Sequence, residues 1–506
     1  MAVMDSVDAV DGAGQGLAAV ALDRFRGELY RCLGRRADAL FELADALLCA
    51  DGPVHSLVGL CLEPEHRRGH GALYDAVNRG EVNTGRLRET LVGLPLPRMF
   101  GGRIVLGVDV SPWLRPDAPT CPERLFCHVY GRGRGRDADQ RVPGWPYQLV
   151  AALESGPTSW TAVLDAVRLG PADDATAVTA AQLRAVVGRL RAAGHWRVGD
   201  PAILVVLDSG YDVHRLAFVL ADLSIQLIGR IRADRVLLAS APPRPVEGAA
   251  PMGRPRRHGA VMALTDPGSW PAPSTRSVAG TARYGRAEAT SWPRMHPRLQ
   301  HRGPWAGHDG PLPIVEGTLI RLQVEHLPGS RQARPVWLWT SAAEAETAGV
   351  DRCWRAYLRR FDLEHTLRLF KQTLGWTAPK IRSPQAADRW TWLVIAAHTQ
   401  LRLARPLARD LRRPWEKPLT AERLTPARVR RGFRHLRAKT AQPARAPNPT
   451  TPDRDAHRGP GTGSPPPATT SARPRPETAH ASETTRSRVK RQAKASCCQA
   501  RGARPA

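Results

Sequence analysis

The chain has 506 residues, with 74 Lys and Arg against 47 Asp and Glu, a formal net charge of +27 and a pI near 11.0. That excess points to a polyanionic partner, nucleic acid ahead of membrane, and no apolar run approaches the length of a spanning helix. The eight cysteines (Cys32, Cys49, Cys61, Cys121, Cys127, Cys353, Cys497, Cys498) form no CxxC pair, which weighs against a zinc finger and fits a reducing cytoplasm.

The length allows two or three domains. The opening MAVMDSVDAVDGAG carries Asp5, Asp8 and Asp11 and no basic region, unlike a signal peptide. From Phe25 to Leu48, apolar residues at Phe25, Leu29, Leu33, Leu40, Ala44 and Leu47 form one helical stripe. Breaks follow at Gly52-Pro53 and in EPEHRRGHG, Glu63 to Gly71. Residues 1–100 are therefore expected to form a helical domain.

The pattern then changes. RIVLGVDVS (Arg103 to Ser111) and RLFCHVYG (Arg124 to Gly131) are short, β-branched-rich strand candidates, with PYQLVAALE as a third. GRGRGRD, Gly131 to Asp137, lacks GxGxxG spacing and any GK[ST], so it reads as a Gly-rich hairpin turn, not a phosphate cradle. A helix is expected from about Ala175 to Ala193. AILVVLDSGYD (Ala202 to Asp212) has the continuous apolar run of a strand buried on both faces. HRLAFVLADL reads as helix and IQLIGRIR (Ile225 to Arg232) as strand. The order argues for a mixed α/β sheet, with residues 101–237 as the first part of its core.

From about Leu238 to Gly317 the chain is rich in Pro, Gly and Arg, and TLIRLQVEHL and PVWLWTS then read as strands. Residues 238–341 are expected to be a partly β insertion within the α/β domain. Helical pattern resumes over 342–436, in YLRRFDLEHTLRLFKQ (Tyr357 to Gln372) and in Gln385 to Arg405. From Arg437 to residue 506 the only Val, Ile, Leu, Met, Phe, Trp or Tyr is Val489. Such a segment cannot offset its ordering entropy by burial and is expected to be a disordered basic tail.

Asp109 ends the apolar run IVLGVDVS and Asp208 ends ILVVLDSGYD. A carboxylate there is costly unless paired, hydrogen-bonded or bound to metal, although either alone suits a strand-end cap. On the 357–372 helix, Tyr357, Arg360, Glu364 and Lys371 fall within an arc of about 60°. A solvated stripe with an Arg360–Glu364 pair would account for that face. Three carboxylates from separated segments, however, can hold two hard cations about 4 Å apart against a phosphodiester. Asp212 and Asp362 suit surface or capping roles, and His365 should face elsewhere on the helix.

The spacing Tyr357-x2-Arg360-x3-Glu364-x6-Lys371 resembles the YREK signature of a group of bacterial insertion-sequence transposases. Asp109 and Asp208 are similar to that group's first two catalytic aspartates, 99 residues apart, and Glu364 follows 156 residues later. The longer gap is similar to the family's β-rich insertion. The resemblance covers roughly residues 20 to 435. It implies an RNase H-like fold, preceded here by the helical segment and followed by the tail. It further implies a transposase that binds terminal inverted repeats, cleaves at transposon ends and joins the freed 3′-hydroxyl to target DNA. Asp109, Asp208 and Glu364 would be catalytic and hold two divalent ions, Mg²⁺ or Mn²⁺.

By the same resemblance, Tyr357, Arg360 and Lys371 would contact DNA phosphates, as would Arg230 and Arg232 beyond the strand IQLIGRIR. Exposed strand-end positions would explain the last two equally well. Trp292 and Trp305 are candidates for stacking on a flipped base, with packing the simpler role for both. The expected partner is double-stranded DNA, both transposon ends and target, bound by at least a homodimer. No membrane or small-molecule cofactor is expected, and the location would be the bacterial cytoplasm, on the nucleoid when DNA-bound. A decayed DNA-binding relative and an RNase H-like nuclease are the rivals.

Overall fold

A computed structural model describes residues 2–129, 140–156, 160–242, 256–327 and 331–447. Residues 1–127 with 142–445 form one compact unit, treated below. The second unit, 128–141 with 446–506, has only six described residues. The GRGRGRD segment and the tail beyond residue 447 lie outside the described residues.

Five helices open the chain: α1 (Ala2–Arg31), α2 (Ala37–Cys49), α3 (Leu57–Leu60), α4 (His70–Arg79) and α5 (Thr84–Val92). The sheet begins with β1 (Val105–Leu114), β2 (Leu125–Val129), β3 (Gln140–Leu153) and β4 (Thr161–Arg168). Helix α6 (Ala175–Ala192), β5 (Ile203–Leu207), α7 (Val213–Val219) and β6 (Ile225–Ile231) follow in alternation. The next stretch is mostly strand: β7 (Val236–Leu238), β8 (Val261–Ala263), β9 (Thr275–Thr281), β10 (Gly285–Pro297), β11 (Gly317–Val324), β12 (His326–Leu327), β13 (Arg331–Gln332) and β14 (Val336–Thr340). Helices α8 (Thr347–Arg359), α9 (Phe361–Gln372), α10 (Pro384–Ala404) and α11 (Pro426–Arg437) close the described chain.

From β3 the main sheet runs β1-β5-β6-β14-β11-β10-β7-β8, with β4 paired to β3 and β9 to β10. Only β1–β5 and β5–β6 are parallel among these pairs, so the fold is mixed α/β. Strands β10, β11 and β14 of the expected insertion continue the sheet, extending it beyond β6.

The continuous apolar runs follow from helices on both faces. Leu106, Val108, Val205 and Leu207 pack with Leu183, Val186 and Val213 of α6 and α7. The alternate residues Val105, Leu204 and Val206 pack with Val350, Cys353 and Trp354 of α8. Successive strand residues point to opposite faces, so each needs an apolar partner here.

Helix α10 is buried almost all round, including Trp390, Leu393, Val394 and Leu401, as a helix inside a larger core should be. It shares one cluster with Phe25 and Leu29 of α1, Leu40 and Leu47 of α2, and Val429 and Phe433 of α11. The opening helices and the closing ones thus make one core. Residues 441–445, placed by composition in the disordered tail, are pinned to this core. Arg26 donates to the Ala441 carbonyl, Arg67 to the Ala444 carbonyl, and the Arg445 amide to Asp38. Backbone carbonyls satisfied by arginines hold them, an interaction that counting apolar side chains misses.

Candidate active site

Two parallel neighbours place the aspartates. The β1–β5 register pairs Val105 with Leu204 and Gly107 with Val206; continued by two residues, it sets Asp109 opposite Asp208. The Asp208-Ser209-Gly210-Tyr211 turn, closed by the Tyr211 amide on the Asp208 carbonyl (3.2 Å), leads into α7. Asp212 caps that helix by accepting from the Arg215 amide, which absorbs it structurally.

Gly107 lets α9 come close. A Cβ there would lie 3.1 Å from Leu153 Cδ2 and 3.6 Å from Leu363 Cδ2. Leu363, Leu367 and Phe370 bury one side of α9 against Leu149 and Ala151 of β3. Glu364 is left facing the same guanidinium as Asp109, midway along β1, and Asp208, just past the end of β5. The single helix expected over 357–372 is divided at Arg360, which ends α8 and starts α9 with φ −53° and ψ −32°. Tyr357 belongs to α8, while Glu364 and Lys371 belong to α9.

Arg360 occupies the centre of the site. Its Nη1 lies 3.7 Å from Asp109 Oδ2, and its Nη2 3.7 Å from Asp208 Oδ2 and 2.9 Å from Glu364 Oε1. The expected Arg360–Glu364 pair therefore exists, but the same guanidinium faces both aspartates. It also lies over the rings of Phe361 (5.0 Å) and Tyr357 (5.8 Å). Three acids share one buried cation. Burial pushes Asp109 up to about 7; Arg360 opposes this, while Asp208 and Glu364 add to it. Although desolvation opposes it, the surrounding acids hold the guanidinium of Arg360 above its ordinary value.

The other anticipated positions are more dispersed. Lys371 Nζ lies 5.9 Å from the Trp376 ring. Arg230 is half-buried in β6, opposite Leu338 of β14, and Arg232 is exposed and paired with Asp234. Trp292 and Trp305 are buried, 4% and 8% exposed, in keeping with packing, the simpler role expected for both. Asp362, expected in a surface or capping role, is buried in the first turn of α9 and pairs with Arg359 at 2.7 Å. His365 faces Arg283, with Nε2 3.2 Å from Nη1.

Sequence reasoning passed over Tyr211. Its hydroxyl is buried with no hydrogen-bond partner. Burial, then the charges of Asp109 and Asp208, raise its pKa well above the ordinary phenol value. An aromatic three residues beyond a strand-ending aspartate was the available signal.

Acids supplied by adjacent parallel strands and a helix packed across them, beside a buried cation, suit phosphodiester chemistry. The chain belongs to the DDE superfamily endonucleases, whose family model matches residues 28–298, more than half of its length. The match includes Asp109 and Asp208 and ends before Glu364, whose place rests on geometry. No curated protein matches the chain significantly.

Enzymes of this superfamily generally use divalent metals. Among the described residues, no group of three or more His, Cys, Asp or Glu is arranged to hold a metal ion; the three carboxylates surround Arg360 instead. The donor set nevertheless fits hard cations. It is all oxygen, it exceeds its one cation in charge, and Asp208 Oδ1 is buried with no hydrogen-bond partner. No helix among the described residues is long and apolar enough to cross a membrane.

Proposed function

We propose that this endonuclease-family chain is an insertion-sequence transposase of the YREK type, binding terminal inverted repeats and carrying out metal-dependent strand cleavage and strand transfer. The observation that carries the reading is the meeting of Asp109, Asp208 and Glu364 at one guanidinium. The YREK spacing and the strand-rich stretch between Asp208 and Glu364 favour a transposase over a nuclease that cuts without joining.

Asp109, Asp208 and Glu364 would hold the two divalent ions, which when bound neutralise charge on the attacking and leaving oxygens of a phosphodiester. Arg360 holds the carboxylates together in the free protein. On DNA it exchanges them for a phosphate, joined by Tyr357 and Lys371 around the end and by Arg230 and Arg232 along the backbone. Tyr211 donates its unpartnered hydroxyl to an oxygen brought between the two aspartates. A pair of ends requires at least two protomers on DNA.

The test is cleavage and joining of labelled DNA carrying the element's own ends, comparing wild type and Glu364→Gln, with Mg²⁺ and with EDTA. Nicking and joining that need metal, and fall by about 10³-fold in the variant while DNA binding persists, are expected. That fall corresponds to several kcal/mol of lost transition-state stabilisation. Cleavage without joined product would favour the plain nuclease, binding without cleavage a decayed relative. Cleavage unaffected by the substitution would remove Glu364 from the site.

A further inference from the structure

Of the chain's fourteen tryptophans, all described, twelve are buried and Trp270 is half-buried. Trp415 is 75% exposed. It sits in RRPWEKP, the loop between α10 and α11, after Pro414 and inside a turn closed by the Glu416 amide on the Arg413 carbonyl (2.9 Å). The loop is firmly held. Asp410 accepts from Arg428 (3.0 and 3.1 Å) and from the Leu419 amide (2.9 Å). Glu416 accepts from Arg431 Nη2 (2.8 Å) and from the Arg413 amide (2.8 Å).

These contacts sort the charges. Both acids of residues 409–417 turn inward onto arginines of α11, while Arg409, Arg412, Arg413 and Lys417 are exposed. Arg413 stacks on Trp415, with the guanidinium carbon 5.6 Å from the ring centre. The outward surface therefore offers cations of one sign around an exposed aromatic. A lipid surface would call for more apolar area, and an acidic peptide would not call for the indole. Phosphates flanking an unstacked base match both features, since every base has a face to stack and every phosphate a charge to neutralise.

We infer that the 409–417 loop is a second DNA-binding site, taking single-stranded or unpaired DNA with one base stacked on Trp415 and adjacent phosphates on Arg409, Arg412, Arg413 and Lys417. The inference rests on the DNA-acting role proposed above, and places a contact on the loop preceding α11, apart from the acids around Arg360.

The full-length protein is titrated with a blunt duplex and with the same duplex bearing a single-stranded tail, in wild type, Trp415→Ala and Trp415→Phe. Removing the indole should lower the ratio of tailed to blunt affinity by about 5- to 100-fold, and Phe should restore most of it. A tail carrying 5-iododeoxyuridine should photocrosslink to Trp415, mapped by mass spectrometry. An unchanged ratio, or a crosslink confined to other residues, overturns the inference. So does a Trp415→Ala defect confined to sedimentation with phosphatidylglycerol vesicles. Wild type that binds neither DNA and cleaves none fails the transposase reading itself; wild type that cleaves, with an unchanged ratio in Trp415→Ala, fails this inference alone.

Discussion

Two buried arginines in this molecule are surrounded by acids or their amides, and they could hardly be treated more differently. Arg26, in the helical core, has a partner for all five N–H donors: Asp45 at 2.7 and 3.0 Å, Gln400 at 2.7 Å, Gln442 at 3.1 Å and the Ala441 carbonyl at 3.4 Å. Arg360 faces three carboxylates, two of them at 3.7 Å, and its Nε has no hydrogen-bond partner. In the first, every donor of the cation is met and Asp45 has two arginine partners, although the amide nitrogens of Gln400 and Gln442 are buried without partners. The second has more anions than cations and an orphaned oxygen on Asp208. A buried cation whose own donors are all met fixes a fold, whereas one with an unmet donor among surplus acids is poised to take something in.

The contrast can be broken at its stable end first. Arg26→Met leaves Asp45 buried with Arg437 as its remaining ion-pair partner at 3.2 Å, and should cost about 3–5 kcal/mol, read from urea unfolding. A loss below about 1 kcal/mol would show that the network contributes little.

Arg360→Ala sharpens the other end. Removing the cation that competes for the three acids should raise Mn²⁺ affinity about tenfold without DNA, in the range of single charge contacts. It should also make the thermal midpoint respond more strongly to Mn²⁺. Free Mn²⁺ measured by electron paramagnetic resonance reports the affinity, and a weaker binding variant would refute the competition.

His398 supplies a third case, a buried group with neither ring nitrogen bonded, packed against Phe370 and Trp160. Burial, and then Arg402, lower its pKa to about 3. The unfolded chain therefore binds the proton more readily, so this contribution is present above about pH 6.5 and lost as pH falls toward 3. The slope is about 1.4 kcal/mol per pH unit within that window. His398→Phe should flatten it in stability measured between pH 7 and 4, and an unchanged slope would count against it.

The smallest effect is expected at Arg232. Its exposed pair with Asp234 should be worth less than about 1 kcal/mol, so Arg232→Ala should barely move the midpoint. If the side chain meets a phosphate, the slope of log affinity against log salt should become shallower by about one.

What could be read in advance follows from which forces are local. The strands bearing the aspartates were legible because both faces of β1 and β5 must be apolar, which makes an acid conspicuous. Asp208 does follow the end of β5, but Asp109, expected at a strand end, lies midway along β1, which continues to Leu114 on its pairing with β3. The Arg360–Glu364 pair was legible because i,i+4 neighbours meet on any helix. The turning of the Arg360 guanidinium toward Asp109 and Asp208 was not, since those acids lie more than 150 residues away in the chain. Strand β4 was overlooked, and for Trp292 and Trp305 packing could be given only as the simpler of two roles, because burial is decided by tertiary neighbours. Trp415 went unnoticed for the converse reason: nothing local says that a tryptophan will be left outside.

The shared helical core also sets a timetable. Arg26 waits for Gln442, 416 residues further along the chain. At about 5–20 residues per second of synthesis, that interval is roughly 20–80 s. Through most of that interval the apolar stripe of the opening helices lacks α10 and α11, which exposes the growing chain to aggregation. Truncation before α11 should therefore yield insoluble protein, not a smaller working enzyme.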